Sequence, residues 1–157
     1  MPVTIAGGNT DFLQLTAATG KPIRLVGFRL GNSTDVQDAG EMGLELQLVH
    51  MTGGTLTDGG GTGSTLITPT TVPRPAIGQA AGFTARVNSP TIATSTGTTT
   101  VLEYVGWINR STPLDVFYPE QKWCCEATGG EALILRYTGT LTSDMTMQLT
   151  VFVEEEG

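Results

Sequence analysis

Apolar and polar positions alternate most regularly near the carboxyl end of the chain. There Met145, Met147, Leu149, Val151 and Val153 take every second position, with Thr146, Gln148 and Thr150 between them. A period of two sends successive side chains to opposite faces of an extended backbone, so this stretch predicts a half-buried antiparallel strand. The same period governs 42–51, where Leu44, Leu46 and Leu48 share a face with His50 while Glu45 and Gln47 take the other. Residues 98–109 predict a long strand with Val101, Val105 and Trp107 on one face and Leu102, Tyr104 and Ile108 on the other. Shorter strands are expected over 11–16, 83–87, 116–118, 123–127 and 132–138, bounded by turn-forming Gly, Pro, Asn and Ser. The segment 23–30 differs, because its apolar residues fall on both faces. That pattern predicts a strand in the middle of a sandwich, or one covered by a partner subunit.

Between 53 and 75 the alternation stops. Gly53-Gly54, Gly59-Gly60-Gly61 and Gly63 lead into Thr-rich sequence carrying Pro69, Pro73 and Pro75, with one short strand expected at 65–67. Connections this long are uncommon in compact domains and tend to be functional or to wrap a neighbour, a disordered loop being the alternative. No window gathers helix formers over the length a helix needs. About eight antiparallel strands without helices predict an all-β domain, a β-sandwich of jelly-roll or related Greek-key winding. The length of 157 residues suits one domain, 1–157, with a single core. Covering both faces of its central strands is easiest when subunits pack together, so a homo-oligomer is expected, a trimer ahead of a dimer.

Composition narrows the function. Gly is frequent at 21 residues, and charged residues make up 15% of the chain, below the globular average of about 25%. The net charge is −7 and the few basic residues are scattered, which argues against groove-type nucleic-acid binding and against an anionic membrane surface. The amino terminus does not read as a signal peptide and no apolar run reaches membrane-spanning length, so synthesis and retention in the cytoplasm are expected unless the protein leaves within a larger particle. Cys124 and Cys125 are adjacent, and two reduced thiols are expected over a strained vicinal disulfide.

Candidate chemistry is sparse. His50 is the single histidine and lies at the end of a Leu-lined face without a nucleophile motif nearby. Gly59-Gly60-Gly61-Thr62-Gly63-Ser64-Thr65 lacks the Lys of a phosphate loop. Asp35, Asp38 and Glu41 read as a solvated acidic turn without EF-hand spacing, and Glu154-Glu155-Glu156 as a solvated tail. Glu103, Glu120, Glu126 and Glu131 form a carboxylate pair of the glycosidase kind only if the fold brings two of them together. Trp107, Trp123, Tyr104, Phe117 and Tyr118 are candidates for a sugar platform or an interface anchor, with core packing as the plainer role. A structural or binding module is expected rather than an enzyme, with no cofactor and no metal.

The order of features resembles small structural proteins of tailed bacteriophages, in particular jelly-roll capsid decoration (cement) proteins. The pieces that carry the resemblance are Lys21-Pro22-Ile23-Arg24-Leu25-Val26, the Gly/Thr/Pro-rich insertion ending near Pro75, and Tyr118-Pro119-Glu120. Gly130-Glu131-Ala132-Leu133-Ile134-Leu135-Arg136 and the closing strand over 147–155 complete it. The resemblance implies a virion protein on the capsid surface, commonly trimeric, that binds the major capsid protein and stabilises the head. A cement role needs extended arms, and the best candidates are 1–10 at the amino terminus and the 53–75 loop. Within them Pro2, Val3, Ile5, Thr55, Leu56, Ile67, Pro69, Pro73 and Arg74 are the candidate partner-binding residues. The rival reading is a carbohydrate- or receptor-binding module of a phage fibre, since sandwiches of this class also host lectins.

Overall fold

The computed structural model describes residues 1–5, 8–18, 21–33, 43–67, 82–108, 112–119, 124–125, 131–140 and 144–155. Its strands are β1 (Pro2–Ile5), β2 (Thr10–Ala17), β3 (Ile23–Asn32), β4 (Gly43–Thr52), β5 (Leu56–Thr57), β6 (Thr65–Ile67) and β7 (Phe83–Ser89). They continue as β8 (Thr94–Ser95), β9 (Thr98–Ile108), β10 (Leu114–Phe117), β11 (Cys124–Cys125), β12 (Ala132–Tyr137) and β13 (Met145–Glu155). No helix occurs among the described residues. One sheet runs β1-β13-β3-β10 with β11 also paired to β3; the other runs β6-β7-β2-β12-β4-β9; β5 and β8 form a separate pair. Every pairing is antiparallel.

The two sheets share one core, and the protein is an all-β sandwich. Val3, Ile5, Ile23, Leu25, Phe28, Leu30, Met147 and Leu149 come from the first sheet. Phe12, Leu13, Leu15, Leu44, Leu46, Leu48, Leu133 and Leu135 meet them from the second. Each large apolar side chain buried this completely contributes roughly 1.5–3 kcal/mol, which is why the alternating stretches form strands with this face inward.

Register shifts at three points explain where the simple alternation breaks. β13 pairs Val153 with Leu25 and Phe152 with Gly27, leaving Val26 as an extra residue on β3. β12 skips Phe12 on β2 in the same way, and β4 skips Leu102 on β9. A bulge shifts the inward phase by one residue. On β3 it turns Ile23, Leu25, Phe28 and Leu30 all into the core, so the apolar residues that fall on two faces of an ideal strand share one face here. On β9 it separates Val101, which is exposed, from Val105 and from buried Trp107, while Leu102 packs toward the core. The expected grouping of Val101 with Val105 and Trp107 is therefore corrected.

Part of the outer face of the six-stranded sheet, over β4 and β12, is covered by the chain's own excursion. Val49, Met51, Ala132 and Ile134 point outward from β4 and β12 and are buried together with Ala93, with Leu56 packed on top. Polar clamps hold the cover down. The Asp11 carboxylate accepts from the Ala93 amide (2.7 Å) and from Arg136 Nε (2.6 Å) and Nη2 (3.1 Å), while Arg136 Nη2 also donates to the Ala93 carbonyl (2.8 Å). Gln14 Nε2 donates to Asp58 (2.6 Å) and its Oε1 accepts the Gly59 amide (3.0 Å). Gly60 and Thr91 exchange two backbone hydrogen bonds. Where the two legs cross, a Cβ on Gly97 would sit 1.8 Å from the Gly53 carbonyl oxygen, so only glycine fits. Residues 53–64, the start of the expected long loop, form a folded flap, and 65–67 form the expected short strand, β6.

Candidate interaction surface

The outer face of the five-stranded sheet has no such cover among the described residues. Its side chains lie in three cross-strand rows set by the register. Asp115, Arg29 and Thr150 form the first, and Phe117, Gly27 and Phe152 the second. The third places Arg24 beside Glu154. Gly27 makes the middle row possible. A Cβ there would approach the Val116 carbonyl oxygen to 2.3 Å and the Phe117 ring to 2.9 Å, so the ring lies over a glycine that leaves it room. Phe117 and Phe152 thus meet across β3 with ring centroids 5.4 Å apart and planes tilted by 31°. They remain 60% and 37% exposed, an apolar centre facing solvent.

Charges flank that centre on both sides. Arg29 forms a two-pronged pair with Asp115, its second contact Nη2 to Oδ2 at 3.1 Å. The Asp115 hydrogen bond, and then its charge, push the Arg29 guanidinium further up from an already high pKa. Arg24 pairs with Glu154, and Lys21 with Glu155 at 3.2 Å. Glu155 also accepts the Gly82 amide. The carboxylates of Glu154 and Glu155, expected in a solvated tail, are therefore held at the end of β13. Surface pairs such as Arg29–Asp115, 55% and 41% exposed, add little stability. Their effect is to fix a polar rim around an aromatic centre, the arrangement found in protein interfaces.

The sequence candidates are distributed differently. Pro2 is exposed, but Val3 and Ile5 are fully buried in the core, because β1 pairs with β13 as a sheet strand. Thr55 is exposed on the flap, Leu56 packs onto the outer cluster, and Ile67 packs partly against the main core. Pro69, Pro73 and Arg74 lie outside the described residues, as do Trp123, Glu120, Glu126 and the Asp35, Asp38 and Glu41 group. Trp107 is buried and donates from Nε1 to the Thr112 carbonyl (3.0 Å), which removes it from any exposed platform. Tyr118 is buried beside Glu103; burial first, and then that carboxylate, push its phenol above the usual value. His50 is half-buried, and its Nε2 has no hydrogen-bond partner among the described residues. Among the described residues no three His, Cys, Asp or Glu side chains are grouped to hold a metal ion.

Phe152 carries the signal that sequence reading passed over. It occupies the outward phase of β13, among Thr146, Gln148, Thr150 and Glu154, where a large aromatic has no core to enter. Comparison with protein-family models, with curated proteins and with solved structures finds no match for this chain.

Proposed function

We propose that this protein is a structural virion component, a capsid decoration protein that docks on the major capsid protein and stabilises the head. The observation that carries the reading is the Phe117–Phe152 centre with its ion-pair rim, presented on a rigid sheet. An anchored aromatic patch of this kind is suited to a protein partner, since a few buried aromatic residues supply most of the affinity of such contacts. The sequence resemblance to phage cement proteins supplies the partner, and on this reading the sandwich belongs with their jelly-roll and Greek-key windings. Pro2 is exposed on β1 at the edge of the same sheet, whereas Thr55 is exposed on the flap over the other sheet. An oligomeric form would multiply weak contacts through avidity.

Co-sedimentation with purified capsids tests the proposal. The wild-type chain should remain on particles, and Phe117→Ser with Phe152→Ser should lower its occupancy at least about tenfold, the effect of losing roughly 1.4 kcal/mol or more. An unchanged thermal melt would show that the doubly substituted chain still folds. Failure of the wild-type protein to bind particles, with retention on a glycan array through the same two aromatics, would favour the fibre-module reading instead.

A further inference from the structure

The six-stranded sheet ends on one side in β6, three residues long, and on the other in β9, which runs for eleven. Among the described residues nothing pairs with the outer edge of β9. An edge strand displays unpaired amides and carbonyls, and proteins ordinarily blunt long ones with Lys, Pro or a covering segment. β9 reads Thr98-Thr99-Thr100-Val101-Leu102-Glu103-Tyr104-Val105-Gly106-Trp107-Ile108, with no Pro and no basic residue. Its single charge, Glu103, is engaged with Tyr118. The bulge at Leu102 bends the first part of the strand, leaving the straight run from Glu103 to Ile108 as the usable template. Tyr104 and Ile108 project from that run, 61% and 44% exposed.

We infer that this edge pairs with the same edge of a second copy, antiparallel across a twofold axis at Gly106. The backbone groups specify an extended strand as the occupant, and β9 is the one long strand whose outer edge is unpaired along its whole length among the described residues, since β1 covers the first part of β13. In this register Tyr104 of each copy lies opposite Ile108 of the other and diagonal to Gly106. Room exists there, since a Cβ on Gly106 or on neighbouring Gly43 would meet nothing within 4 Å. Both glycines, with Ile108 and Trp107, line an open depression that can receive an aromatic ring. The chain carries a net charge of −7, and the uncharged residues 104–108 are where two such molecules can approach. Glu45, opposite Gly106 on β4, is kept about 14 Å from its twin by three strand spacings, beyond the roughly 10 Å screening length at 0.1 M salt. Two six-stranded sheets thereby become one continuous sheet. The contact is small beside the roughly 1,000 Å² of a stable interface, so the dimer depends on concentration.

Sedimentation velocity over a concentration series tests the inference. The wild-type mass should rise from the 16.5 kDa of one chain toward twice that value. Tyr104→Lys with Ile108→Lys should hold the protein monomeric with an unchanged circular dichroism spectrum and melt. Hydrogen exchange on the unsubstituted protein gives an independent reading, with amides of 104–108 gaining protection as concentration rises. A monomer throughout, a trimer, or a dimer indifferent to both lysines with no added protection at 104–108 would overturn the assignment.

Discussion

Tyr118 is the residue whose environment has the clearest consequence. Its ring closes the core beside β10, and its phenol meets the Glu103 carboxylate from β9, so the contact ties the margins of the two sheets together. Burial and that negative neighbour both disfavour the phenolate. In the unfolded chain the same phenol titrates near about 10. From about that pH upward the unfolded chain releases a proton that the folded chain keeps, so stability present below it is lost as the solution becomes more alkaline. Tyr137, raised by burial alone, contributes in the same direction. Tyr118→Phe should therefore flatten the fall in urea midpoint between about pH 8 and about pH 11 without abolishing it. A slope as steep as that of the wild type would assign the alkaline loss to other groups.

At the scale of the element, the strands were legible where alternation is undisturbed. The stretch from Met145 onward follows the two-residue period into β13, and the expected 65–67 strand is β6. What escaped the sequence has physical causes. Bulges at Phe12, Val26 and Leu102 insert an apolar residue, two of which, Phe12 and Leu102, pack in or against the core, so nothing in composition marks the slip in phase. The four residues of β1 are too few to show a period, so the sequence alone does not separate this core strand from an amino-terminal arm. The two-faced burial of β2 and β12 is met within the chain, the cover coming from residues 53–64 and 89–97, which are distant in sequence from both strands. Gly-rich sequence conceals such a flap, since its attachment depends on Gln14 and Asp11, distant in sequence. Gln14→Ala removes both bonds from the buried amide to Asp58 and Gly59. It should cost about 1–3 kcal/mol and open 53–64 to limited proteolysis, while digestion that leaves this segment intact would show the clamp to be redundant.

The whole molecule has two tiers of stability. The shared core between the sheets is extensive, whereas among the described residues the outer cluster under the flap has five buried side chains, Val49, Met51, Ala93, Ala132 and Ile134, with Leu56 packed on it. Small apolar contact means that the flap opens at lower free energy than the sandwich unless polar bonds restrain it. The chief restraint is Asp11–Arg136, with Asp11 fully buried. Arg136→Met leaves that carboxylate without its partner and should cost about 3–5 kcal/mol. Replacing both partners by apolar residues often restores stability at a buried pair, but here the Ala93 amide and carbonyl each bond to the pair. Asp11→Leu with Arg136→Met would leave both backbone groups unpaired, at about 1–3 kcal/mol each. The double variant should therefore recover only part of the loss, and amides of 53–64 and 90–97 should exchange faster than those of β3 and β12. Wild-type stability together with wild-type exchange in those segments would mean that apolar contact alone holds the flap. The flap, the free β9 edge and the Phe117–Phe152 face lie on different parts of the sandwich, so each can be weakened by its own substitutions while the shared core remains intact.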